Sequence, residues 1–343
     1  MSHDFRHALL AAFERGFAAP PLAGERWIML NAHPLPAAAI AEAGVDGDVL
    51  RSVLTCEQGF RPLFLELQKA GYSVAPQLEA AEGFDHAILF ASRAKAVNQL
   101  NFSRAWEMVK PGGQIIICGD KRSGADGIGK QLSKSVEAPQ RFSKYHALCL
   151  LVERGQHELP GDLKPEAGED VQTGLFSAAG PDAGSQLLAA QFSDRISGRV
   201  ADFGAGWGYL SQQLLEKSSN VATLDLFEAE YQALEAAKSL LSDRDALPIT
   251  HHWHDLSSEP VKQRFDWIVM NPPFHQGHSG SREARPDIGR TFIEKAADCL
   301  TAGGRLLMVA NRTLPYEETL ARRFARAEKL AEENGYKIIL AVR

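Results

Sequence analysis

Cysteine is scarce in this chain: its 343 residues include four cysteines, and these are far apart. Their spacing matches no metal-binding motif, so we expect no metal ion. Most lie in apolar segments, which predicts reduced cysteines in a cytoplasmic protein. The four are Cys56, Cys118, Cys149 and Cys299. No apolar run approaches the length of a membrane-spanning helix, so we expect no membrane association. Glu14 and Arg15 interrupt the alanine-rich amino-terminal segment, which argues against a secretory signal.

Basic residues are outnumbered by acidic ones, and the net charge is −6. Binding to a nucleic acid through overall charge is therefore not expected. Basic residues nevertheless concentrate in two places. Between positions 110 and 144 the local charge is +4, from Lys110, Lys121, Arg122, Lys130, Lys134, Arg141 and Lys144 against three acids. The second group is Arg282, Arg285, Arg290, Arg305 and Arg312. A solvated surface explains most such runs, but phosphate contact is an equal alternative here.

The chain contains two copies of one α/β design. In each copy a buried strand is followed by a helix, a Gly-Gly turn and a second strand. The strands begin at Phe84-Asp85 and Phe265-Asp266, and the turns are Gly112-Gly113 and Gly303-Gly304. The length also predicts about two domains. We assign residues 1–155 and 171–343 to the two domains and residues 156–170, a stretch rich in proline, glycine and acids, to a linker.

The most informative motif is Asn271-Pro272-Pro273-Phe274, which follows the predicted buried strand 265–270. Proline cannot continue a central strand, so the motif must leave the sheet at the carboxyl end of that strand, where α/β proteins bind ligands. The amide oxygen and the first proline carbonyl can accept both hydrogens of a planar amine, and the phenyl ring can stack on its base. An Asn-Pro-Pro sequence alone is equally well explained as a turn.

A second motif precedes it in the same copy. An acid and three glycines follow another short predicted strand, in the pattern Asp202-x-Gly204-Ala205-Gly206-x-Gly208. The glycines allow the backbone to approach a ligand closely. The acid would repel a pyrophosphate and suits a cationic amino group. A glycine-rich turn alone is weak evidence, and this spacing differs from that of dinucleotide-binding proteins.

Two further acids follow later strands. Asp225 ends a predicted strand at 221–225, about 20 residues after the glycines, where an acid usually binds a ribose. Asp255 follows a short strand near Ile249 and could accept a hydrogen bond from an adenine amine. Each acid alone would be interpreted as a turn or helix-capping residue. Together and in this order they are typical of a class I S-adenosylmethionine-dependent methyltransferase.

The first copy lacks these motifs. Ala91-Ser92-Arg93-Ala94 stands in place of Asn-Pro-Pro-Phe, and no acid precedes a glycine turn. The second copy also has ten more positions between its strand and its Gly-Gly turn, at about His275 to Gly289. We interpret this insertion as a substrate-contacting loop, with an ordinary surface loop as the alternative.

Along nearly its whole length the chain resembles the RsmC family of small-subunit ribosomal RNA guanine-N2 methyltransferases. The resemblance rests on Phe176-Ser177, Asp182-x-Gly184-Ser185-Gln186-Leu187-Leu188, Asp202-x-Gly204-x-Gly206-x-Gly208, Asn271-Pro272-Pro273-Phe274-His275 and Val309-Ala310-Asn311. It implies two tandem class I, Rossmann-like methyltransferase folds. The first would be degenerate and serve RNA docking or stability; the second would be catalytic and carry a carboxyl-terminal antiparallel hairpin. The usual cysteine of the glycine turn is Ala205 here, which a turn working through its backbone should tolerate.

The resemblance also implies a cofactor, a substrate and site residues. S-adenosylmethionine would bind at Asp202, Gly204, Ala205, Gly206, Gly208, Asp225, Leu226, Asp255, Leu256 and Asn271. Methyl transfer to guanine N2 would take place at Asn271, Pro272, Pro273 and Phe274. The expected partner is ribosomal RNA, within the small subunit or its precursor, and the protein would act as a monomer.

Other substrates and classes stay open at this point. The RlmG family, which acts on large-subunit RNA, shares Asn-Pro-Pro-Phe-His-Gln, as here with Gln276. The same motif chemistry serves glutamine-N5 and adenine-N6 methylation, so a protein or DNA substrate is an alternative. A non-enzymatic RNA-binding scaffold would fit the first copy but not the intact motifs of the second.

Overall fold

The computed structural model describes residues 3–79, 82–121, 123–135, 138–164, 180–244, 247–273 and 286–343. The chain divides into two compact units, Met1–Val171 and Gln172–Arg343. Each unit is built around its own twisted sheet, and the two are described separately below.

The first unit contains a seven-stranded sheet among its described residues. Its strands are β1 (Trp27–Leu30), β2 (Leu54–Glu57), β3 (Ser73–Ala75), β4 (His86–Phe90), β5 (Gln114–Asp120), β6 (Gln140–Lys144) and β7 (Ala147–Glu153). Its helices are α1 (Phe5–Glu14), α2 (Ala37–Glu42), α3 (Gly47–Val53), α4 (Arg61–Lys69), α5 (Lys95–Met108) and α6 (Ala125–Ser135), with a short 3-10 helix at Gly161–Leu163. Leu159 and Leu163, which the sequence analysis assigns to the linker, are buried in the core of this unit.

The second unit also contains a seven-stranded sheet in the part that the structure describes. Its strands are β8 (Gly198–Phe203), β9 (Val221–Glu228), β10 (Ile249–Trp253), β11 (Phe265–Met270), β12 (Leu300–Asn311), β13 (Arg326–Glu333) and β14 (Tyr336–Val342). Its helices are α7 (Ala183–Ala189), α8 (Tyr209–Lys217), α9 (Tyr231–Leu240), α10 (Pro286–Cys299) and α11 (Glu317–Arg323).

The two sheets have the same strand order, which confirms that the chain holds two tandem copies of one α/β fold. The order is β3-β2-β1-β4-β5-β7-β6 in the first unit and β10-β9-β8-β11-β12-β14-β13 in the second. Five strands of each sheet are parallel, and the last two form an antiparallel hairpin against the fifth. The predicted carboxyl-terminal hairpin is therefore confirmed as β13 and β14.

The second sheet is buried on both faces, which explains why its central strands are apolar along their length. On one face, Ile268 and Met270 of β11 pack with Phe292 of α10. On the other face, Trp267 and Val269 pack with residues of α8 and α9. Alternate side chains of a strand point to opposite faces, so an apolar core on each side leaves the strand ends as the place for polar groups.

Candidate active site

The predicted motif residues of the second unit meet at one edge of its sheet. Asp202 lies near the end of β8, Asp255 lies just after β10, and Asn271 follows β11 directly. Strands β8 to β11 are mutually parallel, so their carboxyl ends share this edge. The structure thus brings these predicted residues together at the position where open α/β sheets bind ligands.

Asp202 is a fully buried carboxyl group at this edge. Its Oδ2 accepts a hydrogen bond from Ser211 Oγ of α8 at 2.8 Å. Its Oδ1 is buried and accepts none from the described residues. Burial, and to a smaller extent the nearby Glu228 charge, raises the pKa of Asp202 to about 7 against the opposing effect of the Ser211 hydrogen bond. A cationic ligand at Oδ1 would stabilise the ionised form of this buried carboxyl group.

The glycine-rich turn connects β8 to α8 and leaves space beside it. Gly206 adopts φ of 55°, and a Cβ placed on it would meet no atom within 4 Å. Gly208 adopts φ of 95°, and a Cβ there would come within 3.1 Å of Ala237 of α9. The backbone N–H groups of Gly204 and Ala205 donate to the Phe227 carbonyl, at 2.9 and 3.1 Å. Gly208 therefore permits helix packing, while Gly206 faces open space that a ligand can fill.

The acid at the end of β9 is Glu228, and the predicted strand end at Asp225 is wrong by three residues. The strand continues through Leu226 and Phe227 because both side chains are buried, one on each face of the sheet. Glu228 Oε2 accepts from the Gly206 N–H at 2.7 Å, and Oε1 accepts from two following N–H groups at 2.8 Å. Burial raises the pKa of Glu228, which these backbone bonds partly oppose.

Asp225 lies inside β9 and points to the opposite face from Asp202. Asp202 is in register with Leu226, so the neighbouring Asp225 must face the other way. There its Oδ1 lies 2.7 Å from His252 Nε2, and the His252 ring stacks on Phe227 with centroids 4.3 Å apart. Asp225 thus forms a side-chain pair within the sheet, and its ribose contact stays a prediction beside the alternative of Glu228 at the strand end.

Leu226 has no exposed surface, and its side chain packs in the core of this unit, so its predicted cofactor contact stays a prediction. Because the acid that ends β9 is Glu228 and not Asp225, the residue that follows this acid is Ala229, three positions after Leu226.

Asp255 and Leu256 lie in the turn after β10 and are both buried. The Asp255 carboxylate accepts from Ser257 N at 2.8 Å and from Ser258 Oγ at 2.6 Å. These bonds fit the alternative interpretation of Asp255 as a turn acid, and they leave lone pairs on both oxygens for a further donor.

Asn271 is held by two partners on a distant part of the chain. Its Nδ2 lies 2.9 Å from Ser185 Oγ and 3.2 Å from Asp182 Oδ2. Its Oδ1 is buried and accepts no hydrogen bond from the described residues. Pro272 is buried and Pro273 is exposed, whereas Phe274 and residues 275–285 lie outside the described residues.

Asp182 is the N-cap residue of α7, where its Oδ1 accepts from Ser185 N at 3.0 Å. Both residues belong to a motif that carries the family resemblance, but the sequence alone predicts no role for them. The sequence signal that could have indicated a role is the pair of polar residues Asp182 and Ser185 at the start of a helix, on either side of Gly184. Gly184 is needed there because a Cβ would lie 2.9 Å from the Tyr336 ring of β14. The close packing brings the start of α7 to Asn271.

Two family models match the chain: Methyltransferase small domain over residues 170–340, and Methyltransferase small domain N-terminal over residues 58–151. Ribosomal RNA small subunit methyltransferase C of Shewanella pealeana is 31% identical over 281 residues, which are 76% of this chain and 78% of that protein. The protein of the same name from Salmonella newport is 30% identical and covers 79% of each chain. The chain belongs to this methyltransferase family.

One solved structure extends the likeness to the whole fold. It is the Thermus thermophilus 16S rRNA N2 G1207 methyltransferase (RsmC) in complex with AdoMet and guanosine. The TM-score is 0.77 at 25% identity, over 99% of this chain and 92% of that one. The predicted family, the paired folds and the enzyme class are therefore confirmed.

In the first unit, the corresponding sheet edge is filled by its own side chains. Glu57 ends β2 as Glu228 ends β9. The Glu57 carboxylate, however, accepts from Nη1 and Nη2 of Arg104, at 2.5 and 2.6 Å. Asn31, which follows β1, donates to the Phe90 carbonyl at 2.7 Å. Asn98 of α5 bonds to the backbone of Ser92, which occupies a position of the missing Asn-Pro-Pro-Phe motif. Among the described residues of the first unit, this edge offers no counterpart of the Asp202 carboxylate.

The basic groups are placed less favourably for RNA than the sequence suggests. The Arg305 guanidinium lies over the Trp267 ring at 5.1 Å. Trp267 is three residues before the end of β11, so Arg305 lies away from the sheet edge that carries the site, although the five arginines were expected to cluster around the catalytic side of this unit. Arg290 and Arg312 lie nearer the site edge, and Arg282 and Arg285 are outside the described residues. In the first unit, Arg122 lies outside the described residues, and four of the six basic residues that the structure describes form ion pairs: Lys110, Lys130, Arg141 and Lys144.

Among the described residues, no three His, Cys, Asp or Glu side chains converge as metal ligands. Likewise, none of the helices that the structure describes is long and apolar enough to cross a bilayer.

The two candidate ribose acids can be separated by mutation. We expect Glu228→Ala to weaken S-adenosylmethionine binding by about 1–3 kcal/mol, because a strand-end acceptor at the open side of the turn is lost. Asp225→Ala should change the affinity by much less, since Asp225 faces the other side of the sheet. Isothermal titration calorimetry on both variants measures the difference. A larger loss in Asp225→Ala would contradict this assignment and restore the prediction from sequence.

Cofactor affinity should depend on pH through Asp202. With its pKa raised to about 7, Asp202 is protonated in the free protein at lower pH. An ammonium group at Oδ1 favours the ionised form, so binding below pH 7 must release a proton. The affinity should therefore rise with pH, by up to about tenfold per unit, and level off above pH 7. Calorimetry from pH 5.5 to 7.5 measures this slope, and Asp202→Asn should remove it. An unchanged slope in Asp202→Asn would assign the proton to another group, such as Glu228.

Proposed function

We propose that this chain transfers a methyl group from S-adenosylmethionine to the exocyclic N2 amine of a guanine in 16S ribosomal RNA. The observation that carries the proposal is Asn271 Oδ1, which accepts no hydrogen bond from the residues that the structure describes and lies at the same sheet edge as Asp202 and Glu228. Membership of the family named Ribosomal RNA small subunit methyltransferase C supports the reaction and the subunit. The guanosine and AdoMet bound to the Thermus protein support the guanine substrate and the cofactor.

The described residues fit S-adenosylmethionine in charge and in space. The Asp202 carboxylate would accept the cationic amino group, and the backbone of Gly204 to Gly208 would lie along the amino-acid part. Glu228 would accept from the ribose hydroxyls, and Asp255 and Leu256 would flank the adenine. When bound, the cofactor supplies an electrophilic methyl group on a positively charged sulfur.

The protein has to make the guanine N2 amine, a poor nucleophile, reactive toward the methyl group. The lone pair of guanine N2 is delocalised into the ring, so the amine reacts only when that pair is freed. Asn271 Oδ1 and the Pro272 carbonyl would accept the two amine hydrogens and keep the lone pair directed out of the conjugated plane. The nitrogen loses a proton readily once the N–CH3 bond gives it positive charge, so no strong general base is required.

The base must reach these acceptors outside a double helix. Guanine N2 is engaged in Watson–Crick pairing, so the target has to be unpaired or flipped out of its stack. We assign the stacking of that base to Phe274, and the predicted insertion at 275–289, whose last four residues begin α10, to contact with the surrounding RNA. Both assignments extend the sequence prediction.

Loss of the Asn271 acceptor should slow the chemical step. We expect Asn271→Ala to reduce the single-turnover rate about 10²–10³-fold with little change in cofactor affinity, because one transition-state acceptor is lost. Asn220→Ala is the matched control, since Asn220 precedes β9 at the opposite edge and donates only to the Asp194 carbonyl. The measurement is transfer of labelled methyl groups to 30S subunits, with the product identified as N2-methylguanosine.

The same assay decides between the substrates. 50S subunits, release factors and DNA are tested beside 30S subunits. Methylated guanine in 23S RNA, N5-methylglutamine or N6-methyladenine would each overturn the proposal in favour of the corresponding alternative. A near-normal rate in Asn271→Ala would overturn the role of the motif.

We assign the first unit to RNA docking and to support of the catalytic unit, without cofactor binding of its own. The Arg104–Glu57 pair and the absence of an Asp202 counterpart support this role. The proposed boundaries are residues 1–155 and 171–343 with a linker at 156–170, although the packed part of the first unit runs to Leu163. We further propose that the protein acts as a cytoplasmic monomer on the small subunit or its precursor.

Docking by the first unit predicts a salt-sensitive effect of its basic residues. Lys121→Glu with Lys134→Glu should weaken RNA binding and flatten its salt dependence, because both side chains are exposed and would contact phosphates. Lys69→Glu, an equally exposed lysine on α4, serves as the control. Filter binding at several salt concentrations measures the effect. Equal affinity and salt dependence in the double variant and the wild type would contradict docking through this surface.

A further inference from the structure

Both hydrogens of the Asn271 amide are directed away from the proposed substrate position. Nδ2 contacts Asp182 Oδ2 at 3.2 Å and Ser185 Oγ at 2.9 Å. The Ser185 hydroxyl in turn donates to Asp182 Oδ2 at 2.8 Å. The three side chains form a closed arrangement in which the serine accepts one hydrogen bond and donates another. The acceptor Oδ1 then points away from both partners.

The chemistry of the partners fixes which end of the amide faces them. An ionised carboxylate only accepts hydrogen bonds, so the group opposite Asp182 must be the NH2. Turning the amide over would place two acceptor oxygens against each other and leave the NH2 without these partners. A free asparagine at a strand end would populate both orientations, and only one presents an oxygen to an amine.

We propose that Asp182 and Ser185 are positioning residues for methyl transfer, which hold Asn271 with its Oδ1 presented to the substrate amine. The proposal rests on the function proposed above and extends its site to the start of α7. Donation of both N–H groups, one of them to a carboxylate, also increases the electron density on Oδ1 and so its strength as an acceptor. The negative charge of Asp182 further stabilises the positive charge that develops on the amine nitrogen.

The fold places these residues without strain. Asp182 caps α7 by accepting from the Ser185 N–H, so the cap holds the carboxylate independently of Asn271. Ser185 is buried, and its hydroxyl has one position that satisfies both neighbours. At Gly184, α7 packs closely against the Tyr336 ring. This packing sets the distance of Asp182 and Ser185 from the end of β11.

Ser185→Ala is the more informative variant because it leaves the carboxylate cap in place. We expect the single-turnover methylation rate to fall about 10- to 100-fold, the scale of misplacing one catalytic group, with unchanged S-adenosylmethionine affinity and unchanged RNA KM. Ser185→Thr, which keeps the hydroxyl, should recover most of the rate. Ser218→Ala is the matched control, since Ser218 is an equally buried serine of this unit that donates to the Ser193 carbonyl. Its rate should equal that of the wild type.

A double variant separates positioning from a general structural role. If Ser185 acts through Asn271, then Ser185→Ala should cost nothing further in an Asn271→Ala background, to within about twofold. Multiplied losses, or a normal rate in Ser185→Ala, would overturn the proposal. The product nucleoside distinguishes this failure from failure of the proposed function. A methyl group on an amine other than guanine N2 overturns that function, and the same double variant still decides the positioning role on the amine that is modified.

Discussion

A carboxylate buried without a countercharge is the constraint on which the second unit depends. Asp202 has no exposed surface, and one of its oxygens accepts no hydrogen bond from the described residues. Burying such a group costs free energy, and Glu228 beside it adds repulsion. The two apolar cores that flank the sheet hold the group in place despite this cost. The cationic amino group of the cofactor would offset this free-energy cost. The site is therefore preorganised for a cationic ligand.

The two units show what separates a binding edge from a closed one on the same fold. In the first unit, Glu57 is neutralised by Arg104, and Asn31 and Asn98 bond to the backbone of their own unit. In the second unit, the corresponding edge keeps acceptors at Asp202 and Asn271 that the described residues leave unfilled. The difference lies in a few side chains, since strand order and hairpin are the same.

Sequence patterns predicted the repeated fold and the edge of the site because both follow from local rules. Apolar runs mark buried strands, and prolines must leave a sheet, so Asn271 could be placed at a strand end. The position of Asp225 inside β9 could not be predicted, because an acid inside a strand can be satisfied by a partner such as His252, which sequence does not reveal. Likewise, Asp182 and Asn271 are 89 positions apart, and only the packing of α7 brings them together. The assignment of Phe274 lies outside the described residues and stays a prediction.

The proline after Asn271 has a consequence for the lifetime of the protein. Asparagine side chains age by deamidation, in which the backbone nitrogen of the next residue attacks the amide carbon to form a cyclic imide. Pro272 has no N–H to supply that nucleophile, because its nitrogen is closed into the ring. The amide that would activate the substrate is thereby protected from the commonest spontaneous route to aspartate. Such a conversion would place a second negative charge 3.2 Å from the Asp182 carboxylate, where the amide nitrogen now lies.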